Sequence, residues 1–147
     1  MRLLIQRVRQ AQVFIANQLH SQIGPGLLVL LGIHKEDHAD QINWLVNKLV
    51  NLRIFCDQEG KMNLSVKDVS GQILLVSQFT LYGNCLNGRR PDFIQAAPPA
   101  IAQPLYHQFI EQLTQEMGSI QTGVFGAEMQ IALINDGPVT LLIERDV

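Results

Sequence analysis

The sequence has no apolar run long enough to span a membrane and no strong excess of charge of either sign. Its longest apolar run, residues 27–33, has the length of a buried strand. The N-terminal residues MRLLIQRV turn polar too early for a secretory signal, so we expect a cytoplasmic protein. The formal net charge of −2 argues against a general nucleic-acid coat, but a local basic patch could still touch one end of an RNA.

Cysteine is scarce, and the common metal and nucleotide motifs are missing. Cys56 and Cys85 lie far apart and form no CxxC pair, which predicts free thiols in a reducing compartment. Only His34 and His38 are close among the histidines, and no HExxH or Cys/His cluster occurs, so we expect no metal. The glycines form neither GxGxxG nor GxxxxGK[ST], so we expect no nucleotide cofactor either.

Apolar patterning predicts strands in the first part of the chain. Hydrophobic residues make up 47% of the 147 residues, enough for a real core in a single domain over residues 1–147. The pattern predicts a strand over residues 2–15, although the alternation slips between Val8 and Ala11. We expect a turn over residues 17–20 and a second strand that ends over residues 21–24. The run LLVLLGI predicts a strand buried on both faces.

Helical spacing of apolar residues predicts two helices. The first starts at Asp37 or Asp40 and runs through Leu52. The second lies within residues 100–117, with Pro104 in its first turn. The buried stripes are Ile42, Leu45, Leu49 and Leu52 in the first helix, and Leu105, Phe109, Ile110 and Leu113 in the second.

The remaining patterns complete an α+β domain. Short strands are predicted at RIFCD and before Ser77, and residues 83–92 are predicted to be a polar loop. The C-terminal part is all strand, in the runs SIQTGVF, EMQIALI and VTLLIE. The last two flank residues 135–138, Asn-Asp-Gly-Pro, where Asp-Gly is typical of a hairpin turn and proline has no N–H for a sheet ladder. We expect two packed, mostly antiparallel sheets or a flattened barrel, with helices covering one side.

Ser77 and Thr80, in VSQFT at the end of an apolar strand, are the candidate nucleophiles. Polar residues at a strand end often line a site, but the sequence alone favours a capping role for these. No G-x-S-x-G elbow is present, and nothing assigns a histidine base to Ser77. Water held by backbone and amide groups is therefore an equal candidate for the attacking group.

Three basic residues are candidate phosphate contacts. Arg89 and Arg90 follow Gly88 in the polar loop, and Lys61 lies in GKMN. Adjacent arginines on a loop can bind phosphates, and a loop that is merely solvated is an equally good interpretation.

Five segments, in order along nearly the whole chain, resemble the D-aminoacyl-tRNA deacylase family, also called D-tyrosyl-tRNA deacylase. They are IGPGLLVLLGI, NLRIFCDQEGKMNLSV, LLVSQFTLYG, GRRPDF and TGVFGAEMQIALINDGPVT. The pair SQFT and NDGPVT is the most specific part. The resemblance implies a homodimer that hydrolyses the ester between a D-amino acid and the 3′ end of tRNA, and that also acts on glycine mischarged onto alanine tRNA.

The resemblance also implies site residues. The segment that lines the active site in the family matches Ser77, Gln78, Phe79 and Thr80. The peptide that is cis in the family and enters the partner subunit's site matches Gly137 and Pro138. Glycine has no Cβ, so its backbone can approach a ligand closely and reject an L-amino acid by a clash. A proline after this glycine fits that role, because X-Pro is the one linkage in which a cis peptide costs little.

Several alternatives stay open at this stage. Backbone N–H groups around Gln78 and Phe79 are candidate oxyanion donors, and attack by Thr80, by water or with help from a ribose hydroxyl of the substrate is undecided. A general hydrolase of small D-amino-acid esters and a non-catalytic tRNA-binding or editing-accessory domain are the competing functions. Leu86 and Asn87 stand where the family often has basic residues, which predicts a shallow salt dependence.

Overall fold

The strands form one mixed, nearly closed sheet with a small second sheet beside it. The computed structural model describes residues 1–146. The larger sheet has the order β2-β1-β3-β6-β7, with β8 also paired to β1, and β4 pairs with β5. The strands are β1 Arg2–Ile15, β2 Gln18–Ile23, β3 Gly26–Gly32, β4 Phe55–Cys56, β5 Met62–Leu64, β6 Gln72–Ser77, β7 Gln121–Thr122 and β8 Gln130–Glu144. The helices are α1 Asp40–Asn51, α2 Pro99–Met117 and a short 3-10 helix, Phe79–Tyr82. The predicted α+β class is confirmed.

Strand β1 is the centre of the sheet. Residues 2–8 pair with β3 and residues 11–15 with β2, while β8 pairs along almost its whole length. The sheet then continues through parallel pairs, β3 with β6 and β6 with β7. At the far end the Ser21 hydroxyl donates to the Thr122 carbonyl at 2.8 Å, so β2 and β7 meet and nearly close the sheet.

The core lies between the sheet and the helices. The apolar stripe of α1 faces inward, with Ile42, Leu45 and Leu49 fully buried. Strand β3 is buried along almost all of its length, as the run LLVLLGI predicts. In α2 the buried residues are Ala102, Tyr106, Phe109 and Leu113. A separate apolar cluster that includes Val8, Val13 and Val76 fills the inside of the sheet.

Two local predictions are wrong. The first turn is at Ala16 and Asn17, both with positive φ, so β2 begins at Gln18 rather than after residue 20. Helix α2 begins at Pro99, which places Pro104 beyond the first turn on an exposed face. Proline is favoured at a helix start because its missing N–H is not needed there, and Pro98–Pro99 already supply that start.

Three further residues are less buried than predicted. Leu52, which was predicted to end the first helix and its buried stripe, lies just after α1 and is only partly buried. Leu105 and Ile110 of α2 are only partly buried, and they pack at the margin of the core. The reason is that Ala102 and Tyr106, which the predicted stripe omits, turn that face of the helix inward.

The predicted hairpin turn at residues 135–138 is also absent. Strand β8 runs through these residues as one strand, and both of its halves pair with β1. Val8 pairs with Asn135 and Gln6 with Thr140, so residues 136–139 stand opposite Arg7 alone. They form a bulge in the strand, referred to below as the β8 bulge.

No helix in residues 1–146 is long and apolar enough to cross a membrane.

Candidate active site

A concavity of about 680 Å³ opens at the C-terminal end of β6. Its wall is mostly apolar and comes from the ends of β3 and β6, from the segment before α2 and from the connection between β7 and β8. The lining residues are Leu31, Ile33, Val76, Ser77, Gln78, Phe79, Phe93, Ala96, Ala97, Pro98, Pro99, Ala102, Phe125, Gly126, Ala127, Glu128, Met129 and Ile131. An apolar pocket with a few polar groups is the usual form of a small-ligand site.

Strand β6 delivers the predicted polar residues to this concavity. Its residues Ile73–Val76 are buried, so the strand is fixed in the core up to Ser77. Ser77 pairs with Leu31 of β3, and the next N–H, of Gln78, donates to the Leu31 carbonyl at 2.8 Å. Ser77, Gln78 and Phe79 line the cavity, whereas Thr80 is not among its lining residues.

The backbone at Phe79 supplies uncommitted hydrogen-bond donors. Of the two donors expected from the sequence, the Gln78 N–H is occupied by Leu31. The N–H groups of Phe79 and Thr80 have no acceptor among the hydrogen bonds of residues 1–146, as is usual at the start of a helix. Of these two residues, only Phe79 lines the cavity, so its N–H is the candidate donor to a bound ligand.

No acid–base pair stands beside the candidate nucleophiles. The Gln78 side-chain amide donates to the Thr80 hydroxyl oxygen. The lining contains no histidine, cysteine or lysine, and exposed Glu128 is its one titratable side chain. An activated serine or threonine normally has a base within hydrogen-bond reach, so this arrangement favours attack by water.

Tyr106 of α2 supports the cavity from behind. Its buried hydroxyl donates to the Leu75 carbonyl at 3.2 Å, which also accepts from the Gly123 N–H at 3.0 Å. Burial raises the pKa of Tyr106 to about 12, although a hydrogen bond from the Ser77 backbone offsets part of the rise. Its ring lies 5.8 Å from that of Phe125, a lining residue, so Tyr106 connects both walls of the site.

Two aromatic rings mark the rim of the concavity. Phe79 is 57% exposed and contacts Phe93 edge to face, with the ring centroids 5.1 Å apart. Beneath them, a Cβ at Gly83 would lie 2.9 Å from the Phe93 ring, so the backbone and this ring are in close contact.

Gly137 and Pro138 lie outside the concavity of their own chain. The peptide between them is cis, and both residues are exposed on the β8 bulge. Neither is among the lining residues, so one chain does not bring them to Ser77.

The β8 bulge is held from below by buried groups. Arg7, which is 7% exposed, donates through Nη1 to the Ile54 carbonyl at 2.6 Å and through Nε to the Asp136 carbonyl at 3.2 Å. Its Nε also lies 3.1 Å from the Asp136 carboxylate. The Asn135 amide donates to the carbonyls of Arg7 and of buried Val139. These contacts hold the bulge in one conformation.

The predicted phosphate contacts occupy two different places. Arg89 and Arg90 are both exposed in the loop that separates the 3-10 helix from Phe93. Lys61 lies next to β5 and forms an exposed ion pair with Glu59 at 3.3 Å. None of the three lines the concavity. No group of three or more His, Cys, Asp or Glu side chains within residues 1–146 could hold a metal ion.

Sequence reasoning missed Arg7, Tyr106, Phe93 and Glu128. The slip in alternation after Val8 was a signal for irregular pairing near Arg7, since the register shifts of β1 against β8 lie on both sides of Val8. Tyr106 falls at helical spacing from Phe109 and Leu113, and the pattern could have included it. Phe93 and Glu128 lie in the family segments GRRPDF and TGVFGAEMQIALINDGPVT, but nothing in the sequence placed them beside Ser77, because only the tertiary fold brings them there.

Comparison with known proteins gives consistent matches over the full chain. A family model described as D-Tyr-tRNA(Tyr) deacylase matches residues 4–144. D-aminoacyl-tRNA deacylase of Protochlamydia amoebophila (strain UWE25) is 64% identical over 144 residues, which are 98% of this chain and 95% of that protein. The protein of the same name from Chlorobaculum tepidum is 52% identical over 145 residues, covering 98% and 97% of the two chains.

Two solved structures match the fold. One, titled c-Myc DNA Unwinding Element Binding Protein, superposes with a TM-score of 0.94 at 43% identity and covers 100% of both chains. The other, described as a probable eukaryotic D-amino acid tRNA deacylase, has a TM-score of 0.84 at 18% identity and covers 97% of each chain. At that identity the second match concerns the fold alone.

Proposed function

Because the chain belongs to the D-Tyr-tRNA(Tyr) deacylase family, we propose that it is a D-aminoacyl-tRNA deacylase, which hydrolyses the ester between a D-amino acid and the 3′ end of tRNA in the cytoplasm. One observation of its own geometry carries the proposal. Phe79, whose N–H has no acceptor among residues 1–146, lines an apolar concavity that contains no base to activate a side-chain nucleophile. Such a site suits an ester that is attacked by water.

Catalysis rests on positioning and on stabilisation of the oxyanion. The Phe79 N–H donates to the carbonyl oxygen as negative charge develops on it, and loss of one such donor costs about 3–4 kcal/mol of barrier in a well-studied protease. Water attacks the carbonyl carbon and the ribose oxygen leaves with a proton. The Thr80 hydroxyl accepts from the Gln78 amide and so fixes that side chain at the cavity wall.

The functional unit is a homodimer in which each protomer completes the other's site. Strand β8 pairs with β1 alone in residues 1–146, and Ile134 and Leu142 on it are 50% and 53% exposed. An apolar, one-sided strand suits a self-complementary two-fold contact. The β8 bulge, which does not reach its own concavity, enters that of the partner in this arrangement.

Chiral selectivity follows from the backbone at Gly137 and Pro138. When the ester carbonyl and the amine of the substrate are fixed, inversion at Cα exchanges the side chain and the hydrogen. The D-side chain points out of the site, while the L-side chain runs into the Gly137–Pro138 backbone of the partner. Each ~1.4 kcal/mol of clash gives about tenfold discrimination, so a rigid bulge can supply several such steps.

Glycine passes this filter. It has no side chain to clash, so glycine mischarged onto alanine tRNA is a second substrate. For the same reason the filter accepts D-amino acids of many kinds, because it reads the absence of an L-side chain rather than the presence of a particular D-side chain.

The deciding experiment compares D-Tyr-tRNA, L-Tyr-tRNA and glycyl-tRNA(Ala) in parallel and follows loss of the ester against buffer. We expect rapid loss of the first and third and persistence of the second. Loss of the D- and L-forms at equal rates would contradict rejection of the L-form by the Gly137–Pro138 backbone. Equal activity on a free D-tyrosine ester would indicate a general esterase, and loss of none of the substrates from a folded dimer would indicate a non-catalytic tRNA-binding domain.

A further inference from the structure

The loop between the 3-10 helix and Phe93 projects from the fold, and hydrogen bonds fix its base. Asn84 and Asp92 exchange backbone hydrogen bonds, at 2.9 Å from the Asn84 N–H and 3.1 Å from the Asp92 N–H. The Asn84 side-chain amide also donates to the Asp92 carboxylate at 3.1 Å, and its oxygen accepts from the Leu86 N–H at 3.0 Å. Residues 85–91, referred to below as the arm, therefore leave and rejoin the fold at one fixed point.

That fixed point is adjacent to the rim of the active-site concavity. The arm starts just after the 3-10 helix that opens with Phe79, and it ends just before Phe93. Both rings line the concavity and contact each other. A polymer that leaves the concavity over these two rings passes close to the arm.

The arm carries positive charge without a partner. Arg89 and Arg90 are exposed, and neither forms an ion pair within 4.0 Å among residues 1–146. Lys61 and Lys67, in contrast, pair with Glu59 and Glu116. Guanidinium groups that are not committed within the protein retain all their donors for phosphate oxygens.

An apolar side chain completes this surface. Leu86 is 91% exposed, more than any other large apolar side chain that is exposed in the described residues. The Asn84 side chain, which accepts from its N–H, holds Leu86 in place. A leucine beside an arginine pair can pack on a ribose or base while the guanidinium groups contact phosphates.

We infer that the arm is the RNA-contacting element of this protein, in which Arg89 and Arg90 bind phosphates of the tRNA acceptor end while the esterified 3′ nucleotide occupies the concavity. The inference rests on the proposed function. It assigns RNA binding to the arm rather than to Lys61, and it gives Asn84 the role of a positioning residue. The inference needs only two phosphate contacts, which is consistent with a protein that has a net charge of −2 and no general excess of basic residues.

The test separates RNA binding from ester chemistry. Arg89→Ala/Arg90→Ala protein is compared with the unaltered protein on labelled uncharged tRNA by fluorescence anisotropy. Turnover is measured on D-Tyr-tRNA and on D-tyrosyl-adenosine, which has the same ester and no phosphate. A matched control, Lys48→Ala/Lys61→Ala, removes the same charge from positions outside the arm.

We expect the arginine variant to bind tRNA more weakly, with a salt slope shallower by about 1.4–1.8, or roughly 0.7–0.9 per phosphate. Its turnover of D-tyrosyl-adenosine should stay within about twofold, as is usual for surface substitutions. Asn84→Ala should weaken tRNA binding in the same direction and leave the adenosine ester unaffected. The lysine control should retain its tRNA affinity and salt slope.

Three results would overturn the inference. They are an unchanged tRNA affinity in the arginine variant, an equal loss on both esters, and an equal loss of tRNA binding in the lysine control. If the unaltered protein hydrolyses neither ester, the proposed function fails, and the anisotropy data alone then decide whether the arm binds RNA.

Discussion

Thr80 is the residue at which a covalent route and direct attack by water can be told apart. Its hydroxyl oxygen accepts from the Gln78 amide, and no base stands beside it. We expect Thr80→Ala to lose about fivefold in turnover, the effect of one hydrogen bond of ~1 kcal/mol. Rapid-quench measurement on D-Tyr-tRNA should show no burst of released tRNA with the unaltered protein.

Loss of a true nucleophile would lower turnover by a much larger factor. Removal of the catalytic serine of a well-studied protease costs about 10⁶-fold in turnover. A loss of that order in Thr80→Ala, with a burst in the parent protein, would establish an acyl-enzyme at Thr80 and exclude the water route.

Gly137 allows folding and chemistry to be separated at a single position. Its φ is not in the left-handed region, and an added Cβ would meet nothing closer than the Asn135 side-chain oxygen at 3.6 Å. We therefore expect Gly137→Ala to change the free energy of unfolding by less than ~0.5 kcal/mol. If the β8 bulge enters the partner's concavity as proposed, the methyl group enters it too, and turnover of D-Tyr-tRNA should fall by about tenfold or more.

A matched control is available at Gly24, where an added Cβ would lie 3.5 Å from the Gln72 side chain. Gly24→Ala should resemble the parent in both thermal melting and turnover. If Gly137→Ala keeps full activity, the Gly137 backbone does not lie close to the substrate.

At the scale of elements, the β8 bulge shows where sequence reasoning succeeds and where it stops. The residues Asn135–Gly137 carry turn chemistry, and the sequence correctly marks a break in regular pairing there. It could not tell a hairpin from a bulge, because the choice depends on register with β1, at the other end of the chain. The break in the apolar–polar alternation of β1 after Val8 is a local sign of this irregular pairing between β1 and β8.

The candidate site divides in the same way. Ser77, Gln78 and Phe79 follow an unmistakable buried strand, so their place at a strand end could be predicted. The opposite wall, from Phe125 to Met129, was predicted to lie at the ends of two strands, but it forms the connection between β7 and β8, which long-range packing places. Elements with local signals were therefore predictable, and the contacts between them were not.

Arg7 is the support on which the β8 bulge depends. A lysine there keeps the charge but has one ammonium group, which cannot reach both the Ile54 carbonyl and Asp136 as the guanidinium does. We expect Arg7→Lys to lower stability by about 1–3 kcal/mol, since a buried acceptor loses its partner. Denaturant titration checks this.

The same variant tests whether the bulge sets selectivity. A loosened bulge should allow more hydrolysis of L-Tyr-tRNA while it lowers turnover of D-Tyr-tRNA less. The ratio of kcat/KM for D-Tyr-tRNA to kcat/KM for L-Tyr-tRNA should therefore fall. Arg9→Lys is the control, because Arg9 is 76% exposed and lies 3.9 Å from Asp136. An unchanged ratio in Arg7→Lys would show that selectivity does not depend on this support.

Tyr106 couples α2 to β6 and gives the fold a dependence on alkaline pH. Its pKa is about 12 in the folded protein and 10.0 in an unperturbed side chain, chiefly because of burial. The stability linked to it is fully present below pH 10.0 and is lost as the pH rises to about 12, since the unfolded chain releases the proton first. Tyr106→Phe should flatten this decline.

Denaturant unfolding at several values between these two limits measures the effect. Burial also raises the pKa of Tyr82, so some decline should remain in Tyr106→Phe. Identical pH profiles for the parent and the variant would mean that Tyr106 ionises in the folded state as readily as in the unfolded one.

At the scale of the whole molecule, the two halves of the proposed site lie on separate surfaces of one protomer. The concavity is formed by residues from β3 to β8, whereas Gly137 and Pro138 are exposed on a bulge that does not line it. If each protomer lends its bulge to the other, defects in the two halves should complement each other in a mixed dimer.

Ala96→Trp, which fills the cavity from its wall, damages only the concavity, and Gly137→Ala damages only the bulge. Each homodimer should be impaired at both sites. In coexpressed 1:1 mixtures about half of the dimers are mixed, and each has one site with an intact concavity and an intact bulge. Turnover of D-Tyr-tRNA should therefore recover to about a quarter of the parent level, once subunits have assorted randomly. Activity no greater than the mean of the two variants would show that the bulge does not act across the dimer.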